Sequence, residues 1–279
     1  MARVVLAEAE LQALTRLQAR RVPLPLEPLH LYQGRHFLWV NHERLQPLYE
    51  GLVRRVGLTP RWSVAKNGKA FLTLADAPAE RFLGEYQRLQ ALWVMADRTD
   101  LTVALDLHRP TPDAPRTVVG ELVYQAKYQG SAAALSALCE RVVDTARSLG
   151  LSPQAGVAPL VCPVPSSRVS QSNLLPARVA RAVADALDLP YDPYLLRTVA
   201  NRPSLKSLPL LEKARSLQGT LELSGAVPAG GTVLLIDDHY QSGTMMNYLA
   251  LRAAGVAKVL ALACDKTLGS RDNTGGEPP

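Results

Sequence analysis

The chain has 279 residues, 47% of them hydrophobic and 20% charged, with a net charge of +6. That supports one large or two modest domains and excludes wholesale disorder. Its 3 cysteines, Cys139, Cys162 and Cys264, form no CxxC pair, which argues against a zinc ribbon and a disulfide framework.

No apolar run reaches membrane-span length and the N-terminus lacks a cleavable signal, so a cytoplasmic protein with no membrane partner is expected. The basic balance suits phosphate-bearing ligands or nucleic acid as well as a solvated surface. In chain order, "PLHLYQGRHFLWVN" predicts two short strands about a glycine. "RWSVAKNGKAFLTLAD" predicts a hairpin, with Asn67-Gly68 supplying a type I′ turn between alternating strands. "APAERFLGEYQRLQALWVMAD" has helical spacing with Pro78 near its first turn. Trp39, Trp62 and Trp93 all fall in this region. Residues 1–112 are therefore expected to form a small N-terminal α+β module, with "RPTPDAP" as the linker out of it. His30, His36 and His42 recur at six-residue spacing without a carboxylate or cysteine partner pattern, and are read as solvated.

From Val118 the rhythm changes. "VVGELVYQAKYQ" and "SAAALSALCERVVDTARSLG" predict helices, "PLVCPVPSS" a buried strand, and "NLLPARVARAVADALDL" a helix with Asn173 as a candidate cap. Lys127 and Tyr128 are read as packing the end of the first of these helices against the sheet. "PYLLRTVA" and "GTLELSG" are strand-like and flank a basic segment. "TVLLIDD" predicts a strand, "TMMNYLALRAAG" a helix stopped by Gly255, and "AKVLALACDKT" a last strand. Such alternation implies an α/β fold with a mostly parallel sheet and helices on both faces, over residues 113–268. Cys162 and Cys264 are read as core thiols. The tail, residues 269–279, is too rich in glycine, proline and polar residues to form a packed element, and disorder is expected.

The chemistry concentrates in "VLLIDDHYQSGTMM", residues 233–246. Ligands of open parallel sheets sit beyond the carboxyl ends of the strands. The apolar run would deliver Asp237 and Asp238 there. Tyr240, Gln241, Ser242, Gly243, Thr244 and Met245 would then wrap over the N-terminus of the next helix, a natural phosphate site. Two carboxylates suit a vicinal diol and the loop suits an attached phosphate; a ribose 5-phosphate has both.

This stretch resembles the phosphoribosyl pyrophosphate (PRPP) motif of type I phosphoribosyltransferases. The wider chain resembles their ComF-type, amidophosphoribosyltransferase-like branch. "ELVYQAKYQG", "VCPVPSSRVSQSN" and "NRPSLKSLPLLEKARSLQGTLEL" match further motifs in order, across roughly residues 118–268. The resemblance implies a phosphoribosyltransferase-like fold and PRPP or a ribose 5-phosphate-containing ligand. Asp237 and Asp238 would be the catalytic acids, holding the ribose hydroxyls directly or through Mg²⁺. Residues 240–245 would bind the 5-phosphate. Ser166, Ser167 and Arg168 would form the pyrophosphate loop, and Lys206, Lys213 and Arg215 would reach in from the hood. The expected reaction, if the chain is an enzyme, is Mg²⁺-dependent phosphoribosyl transfer to a nitrogen acceptor, and a homodimer is the expected assembly.

The departures are specific. Met245 stands where a hydroxyl residue is common, and losing that hydrogen bond costs about 1.5–3 kcal/mol, about tenfold to hundredfold in affinity. Gln241 stands where some purine-salvage members carry an acidic base and cannot take a proton at neutral pH. His239 follows the acids where a small or apolar residue is usual, and is read as a surface histidine or a substrate contact. The zinc ribbon of the ComF type is missing. These features motivate an alternative, a non-catalytic module in DNA uptake, processing or regulation that binds nucleotides or single-stranded DNA through basic residues and stacked tryptophans.

Overall fold

The computed structural model describes residues 2–3, 5, 7–15, 20–32, 35–74, 79–151, 153, 158–166, 174–201, 209–223, 230–241, 251–252 and 254–267. In chain order the strands are β1 (Ala2–Arg3), β2 (Arg20–Arg21), β3 (Leu29–Tyr32), β4 (Arg35–Trp39), β5 (Trp62–Val64), β6 (Ala70–Leu74), β7 (Trp93–Ala96), β8 (Leu101–Leu107), β9 (Leu160–Pro163), β10 (Leu196–Thr198), β11 (Leu221–Leu223), β12 (Thr232–Tyr240) and β13 (Lys258–Lys266). The helices are α1 (Glu8–Thr15), α2 (Gln46–Arg55), α3 (Ala79–Gln90), α4 (Val118–Tyr128), α5 (Ala132–Ser148), α6 (Leu175–Leu187) and α7 (Leu210–Leu217).

The apolar runs of β12 and β13 lie side by side in the middle of a six-stranded sheet of order β2-β7-β8-β13-β12-β9. Strands β8, β13, β12 and β9 run parallel; β7 and β2 are antiparallel additions at one edge. The two-residue period of a strand divides the apolar side chains between two faces. Leu234, Ile236, Leu260 and Leu262 share one buried cluster with α2 to α6. Val233, Leu235, Val259 and Ala261 share another with Leu11 of α1, and Ala214 and Leu217 of α7. Burial on both sides explains why these strands read as continuous hydrophobic runs. The fold is thus a mixed α/β one, with a mostly parallel sheet covered by helices on both faces.

Helix α4 is seated by its first turn. Thr117 caps it, its hydroxyl accepting the Gly120 N–H at 3.0 Å. Gly120 lies so close to the end of β8 that an added Cβ would stand 2.2 Å from the His108 carbonyl oxygen. Only glycine admits this contact, and it fixes α4 beside the sheet's carboxyl edge.

A second sheet, β3-β4-β6-β5, is antiparallel throughout. The expected hairpin is present as β5 and β6, but its turn is not type I′. Only Gly68 has positive φ (80°), Gly68 N–H donates to Ala65 C=O at 2.9 Å, and Ala65 N–H donates to Lys69 C=O at 2.9 Å. That is a three-residue loop closing on a left-handed glycine. The helical pattern expected through Asp97 stops at Gln90, because Trp93–Ala96 forms a strand whose first three residues pair with β8. The stretch "LTVALDL", read as no element from sequence, is β8, which hydrogen-bonds directly to β13. The mostly parallel sheet therefore includes β2, β7 and β8, which precede residue 113. Leu174 occupies the N-cap position of α6 without a side-chain cap; Asn173 and the tail lie outside the described residues. A three-stranded antiparallel sheet, β1-β11-β10, completes the described strands.

Candidate active site at the carboxyl edge of the parallel sheet

Strands β8, β13 and β12 all turn polar where they end. Asp106 and His108 close β8, Asp237, Asp238 and His239 close β12, and Asp265 and Thr267 close β13. The register places Asp265 opposite both Asp106 and His239. Parallel pairing thus gathers residues distant in sequence at one edge.

Asp238 is buried, 8% exposed, and its Oδ2 meets the Lys127 ammonium of α4 at 2.7 Å. Burial works against the charge on Lys127, but the Asp238 carboxylate, with smaller contributions from Tyr128 and Asp237, outweighs it and raises the lysine's pKa. The same ammonium stands 5.7 Å from the centre of the Tyr128 ring. Lys127, expected to pack the helix end, is therefore also the ionic partner of the second acid.

Asp237 has a different environment. Its Oδ1 accepts the Asp238 N–H at 2.8 Å. Burial, then the neighbouring Asp238 charge, raise its pKa to about 7. Two adjacent carboxylates cannot both ionise cheaply when desolvated. Hard, anionic oxygen donors of this kind fit magnesium, which is held through one or two carboxylates plus waters and substrate phosphates. Lys127 pairs directly with Asp238 and acts on Asp237 only as a weaker, more distant charge, so Asp237 keeps a need for a cation or a hydroxyl donor.

Beyond the acids, Tyr240 is a buried residue of β12 rather than part of a loop, and its hydroxyl donates to Asp97 Oδ2 at 2.8 Å. Gln241 follows directly and is half-buried. Ser242, Gly243, Thr244 and Met245 lie outside the described residues, as do Ser167, Arg168 and Lys206. Ser166 lies after β9, its carbonyl accepting the Thr198 hydroxyl of β10. Lys213 of α7 is buried. Arg215 pairs with Glu8 of α1, which draws it to that helix.

Sequence reasoning passed over His108 and Asp265, and read His239 as a surface side chain or substrate contact. Asp265 is fully buried and accepts from both rings. His108 Nδ1 lies 2.7 Å from Oδ2 and His239 Nδ1 lies 2.5 Å from Oδ1. The rings meet edge to face, 5.7 Å apart. His239 Nε2 is 2.6 Å from the Thr267 hydroxyl. A signal was present in the sequence, because two predicted or missed strands end in Asp-x-His, at 106–108 and 237–239.

The tryptophans have protein partners. Trp62 Nε1 donates to Glu50 at 2.9 Å, Trp39 packs on Phe71, and Trp93 lies 4.0 Å from the Arg21 guanidinium and 5.7 Å from the Lys266 ammonium. Cys162 and Cys264 are buried, as expected. A hollow of about 250 Å³ lined by Glu50, Arg54, Leu101, Thr232 and Lys258 lies at the opposite end of the sheet, where the parallel strands begin.

No protein-family model matches the sequence, and no curated protein matches it. Solved structures similar to part of the chain include two from an analysis of an invariant aspartic acid in HPRTs. The glutamic acid mutant aligns at 18% identity over 55% of this chain and 71% of that one, with a TM-score of 0.32. The asparagine mutant aligns at 19% identity over 52% and 65%, with a TM-score of 0.30. No helix among the described residues is long and apolar enough to cross a membrane.

Proposed function

We propose that the carboxyl edge of the parallel sheet binds PRPP or another ribose 5-phosphate-containing ligand, in the manner of a type I phosphoribosyltransferase. The observation that carries this reading is the Asp237–Asp238 pair. It stands at the end of a parallel strand, with one acid neutralised by Lys127 and the other held with its pKa raised to about 7. An acid so placed gains from hydroxyl donors or a cation, and a ribose diol supplies the former. In this reading Gln241 to Met245 receive the 5-phosphate, Ser166 to Arg168 face the pyrophosphate, and Lys206 serves from the hood. Lys213 and Arg215 need α7 to move relative to the structure described, since the first is buried and the second is paired with Glu8.

Transfer would break the bond from the anomeric carbon to pyrophosphate and form one to a nitrogen acceptor. The acids would stabilise positive charge on the sugar as the leaving group departs. Mg²⁺, held with Asp237 and Asp238, would neutralise pyrophosphate charge. Gln241 offers no base, so the acceptor's proton must leave by another route.

Thermal unfolding tests the binding. Saturating PRPP with Mg²⁺ should raise the melting temperature, because a ligand at 100 times its Kd adds about 2.7 kcal/mol. Asp237→Asn with Asp238→Asn should abolish the rise. A well-folded protein whose melting temperature is unmoved by millimolar PRPP contradicts the proposal.

A further inference from the structure

We propose that His108, His239 and Asp265 form a site for a borderline divalent transition metal such as Zn²⁺ or Co²⁺, separate from the Mg²⁺ chemistry assigned to Asp237 and Asp238. Each side chain comes from the end of a different parallel strand: β8, β12 and β13. Their three donor atoms lie within 4.8 Å of one another. Two imidazoles and one carboxylate form a ligand set suited to zinc, iron, cobalt or nickel rather than magnesium.

The hydrogen bonds define the metal-free state and the exchange that binding requires. Asp265 is fully buried and, as a carboxylate, can only accept. Both Nδ1 atoms therefore carry protons in the arrangement described. Coordination through Nδ1 would displace both Nδ1 protons and move each ring to its Nε2–H tautomer. The Thr267 hydroxyl, 2.6 Å from His239 Nε2, is already placed to receive that N–H. A metal-bound histidine commonly donates its other ring nitrogen in this way, and the partner fixes ring orientation.

The surroundings favour a three-ligand site with an open position. The side chains of His108 and His239 are each 27% exposed, whereas the carboxylate beneath them has no exposure. A metal could enter from the solvent side, with its remaining coordination completed by water. Gly120 packs against the His108 carbonyl and holds the end of β8 in place, so the first ligand sits on a rigid element rather than a long loop.

The experiment is titration of the full chain, free of any polyhistidine tag, with Co²⁺. Saturable binding at one equivalent should produce the visible d–d bands of a low-coordinate cobalt centre. His108→Gln should lose at least tenfold in affinity. Thr267→Val should lose about tenfold and Thr267→Ser should recover it. Asp237→Asn with Asp238→Asn should keep the cobalt bands even where it abolishes the PRPP response, so the two readings fail separately. Absence of saturable uptake by the wild-type chain, or a weak spectrum typical of six oxygen ligands, overturns the proposal whether or not the variants fold. Bands unchanged in folded His108→Gln overturn it equally.

Discussion

Asp97, at the end of β7, and Asp237, near the end of β12, are two acids set into protein, and they are treated in opposite ways. Asp97 is 1% exposed and satisfied by neutral donors: the Thr99 N–H at 2.9 Å, the Thr99 hydroxyl at 2.7 Å and the Tyr240 hydroxyl at 2.8 Å. Asp237 has backbone N–H donors but stands beside a second carboxylate, and its pKa is raised to about 7. The first arrangement stabilises a turn, since a buried carboxylate surrounded by donors has little left to bind. The second leaves an electrostatic need that a ligand can meet, a common mark of functional sites.

Removing each acid should therefore have opposite consequences. Asp97→Ala leaves the Tyr240 and Thr99 donors buried without their acceptor, and should cost about 3 kcal/mol of stability. Urea unfolding with an unchanged m-value would measure it. Gly120→Ala forces a methyl against the His108 carbonyl and should cost about 2 kcal/mol, read from the same denaturation curves. A cost near zero would mean that α4 is free to shift away from the site.

Asp237→Asn should stabilise the protein by about 1–2 kcal/mol at pH 8, less than the full shift implies because Asp237 is half-buried rather than sealed from solvent. The sign follows from linkage. A raised folded-state pKa means the native state binds more protons than the unfolded chain between the ordinary value of 3.8 and about 7. Wild-type stability from this group is complete below pH 4 and is lost as pH rises through about 7; the Asn variant should lack that slope. Thermal melts from pH 4 to pH 8 would show it. The smallest effect belongs to Lys127→Met. It should cost about 1 kcal/mol, because the pair is partly exposed, with a difference that shrinks in high salt.

Much of the sheet was legible because β9, β12 and β13 are uninterrupted apolar runs, and α4 to α6 repeat apolar residues at helical spacing. Strand β8 was missed although it is equally apolar. It lies between a helix-like stretch and a proline-rich linker, so it reads as part of neither. Its neighbour β7 was absorbed into a helix because Leu92, Trp93 and Met95 continue the helical pattern; only pairing with β8 decides between the two periods. Asp237 and Asp238 were visible as a contiguous motif. The His108–Asp265 contact joins residues 157 positions apart, and only strand order and register bring them together. The Lys127–Asp238 pair was hidden for the same reason.

The most direct measurement is isothermal titration of PRPP into the wild-type chain and into the Asp237→Asn, Asp238→Asn double variant, both with Mg²⁺. One saturable site in the wild type and no measurable heat from a folded double variant is the predicted result. Equal affinity in the two proteins, or no binding by either, would contradict a ribose-binding role for the acidic pair.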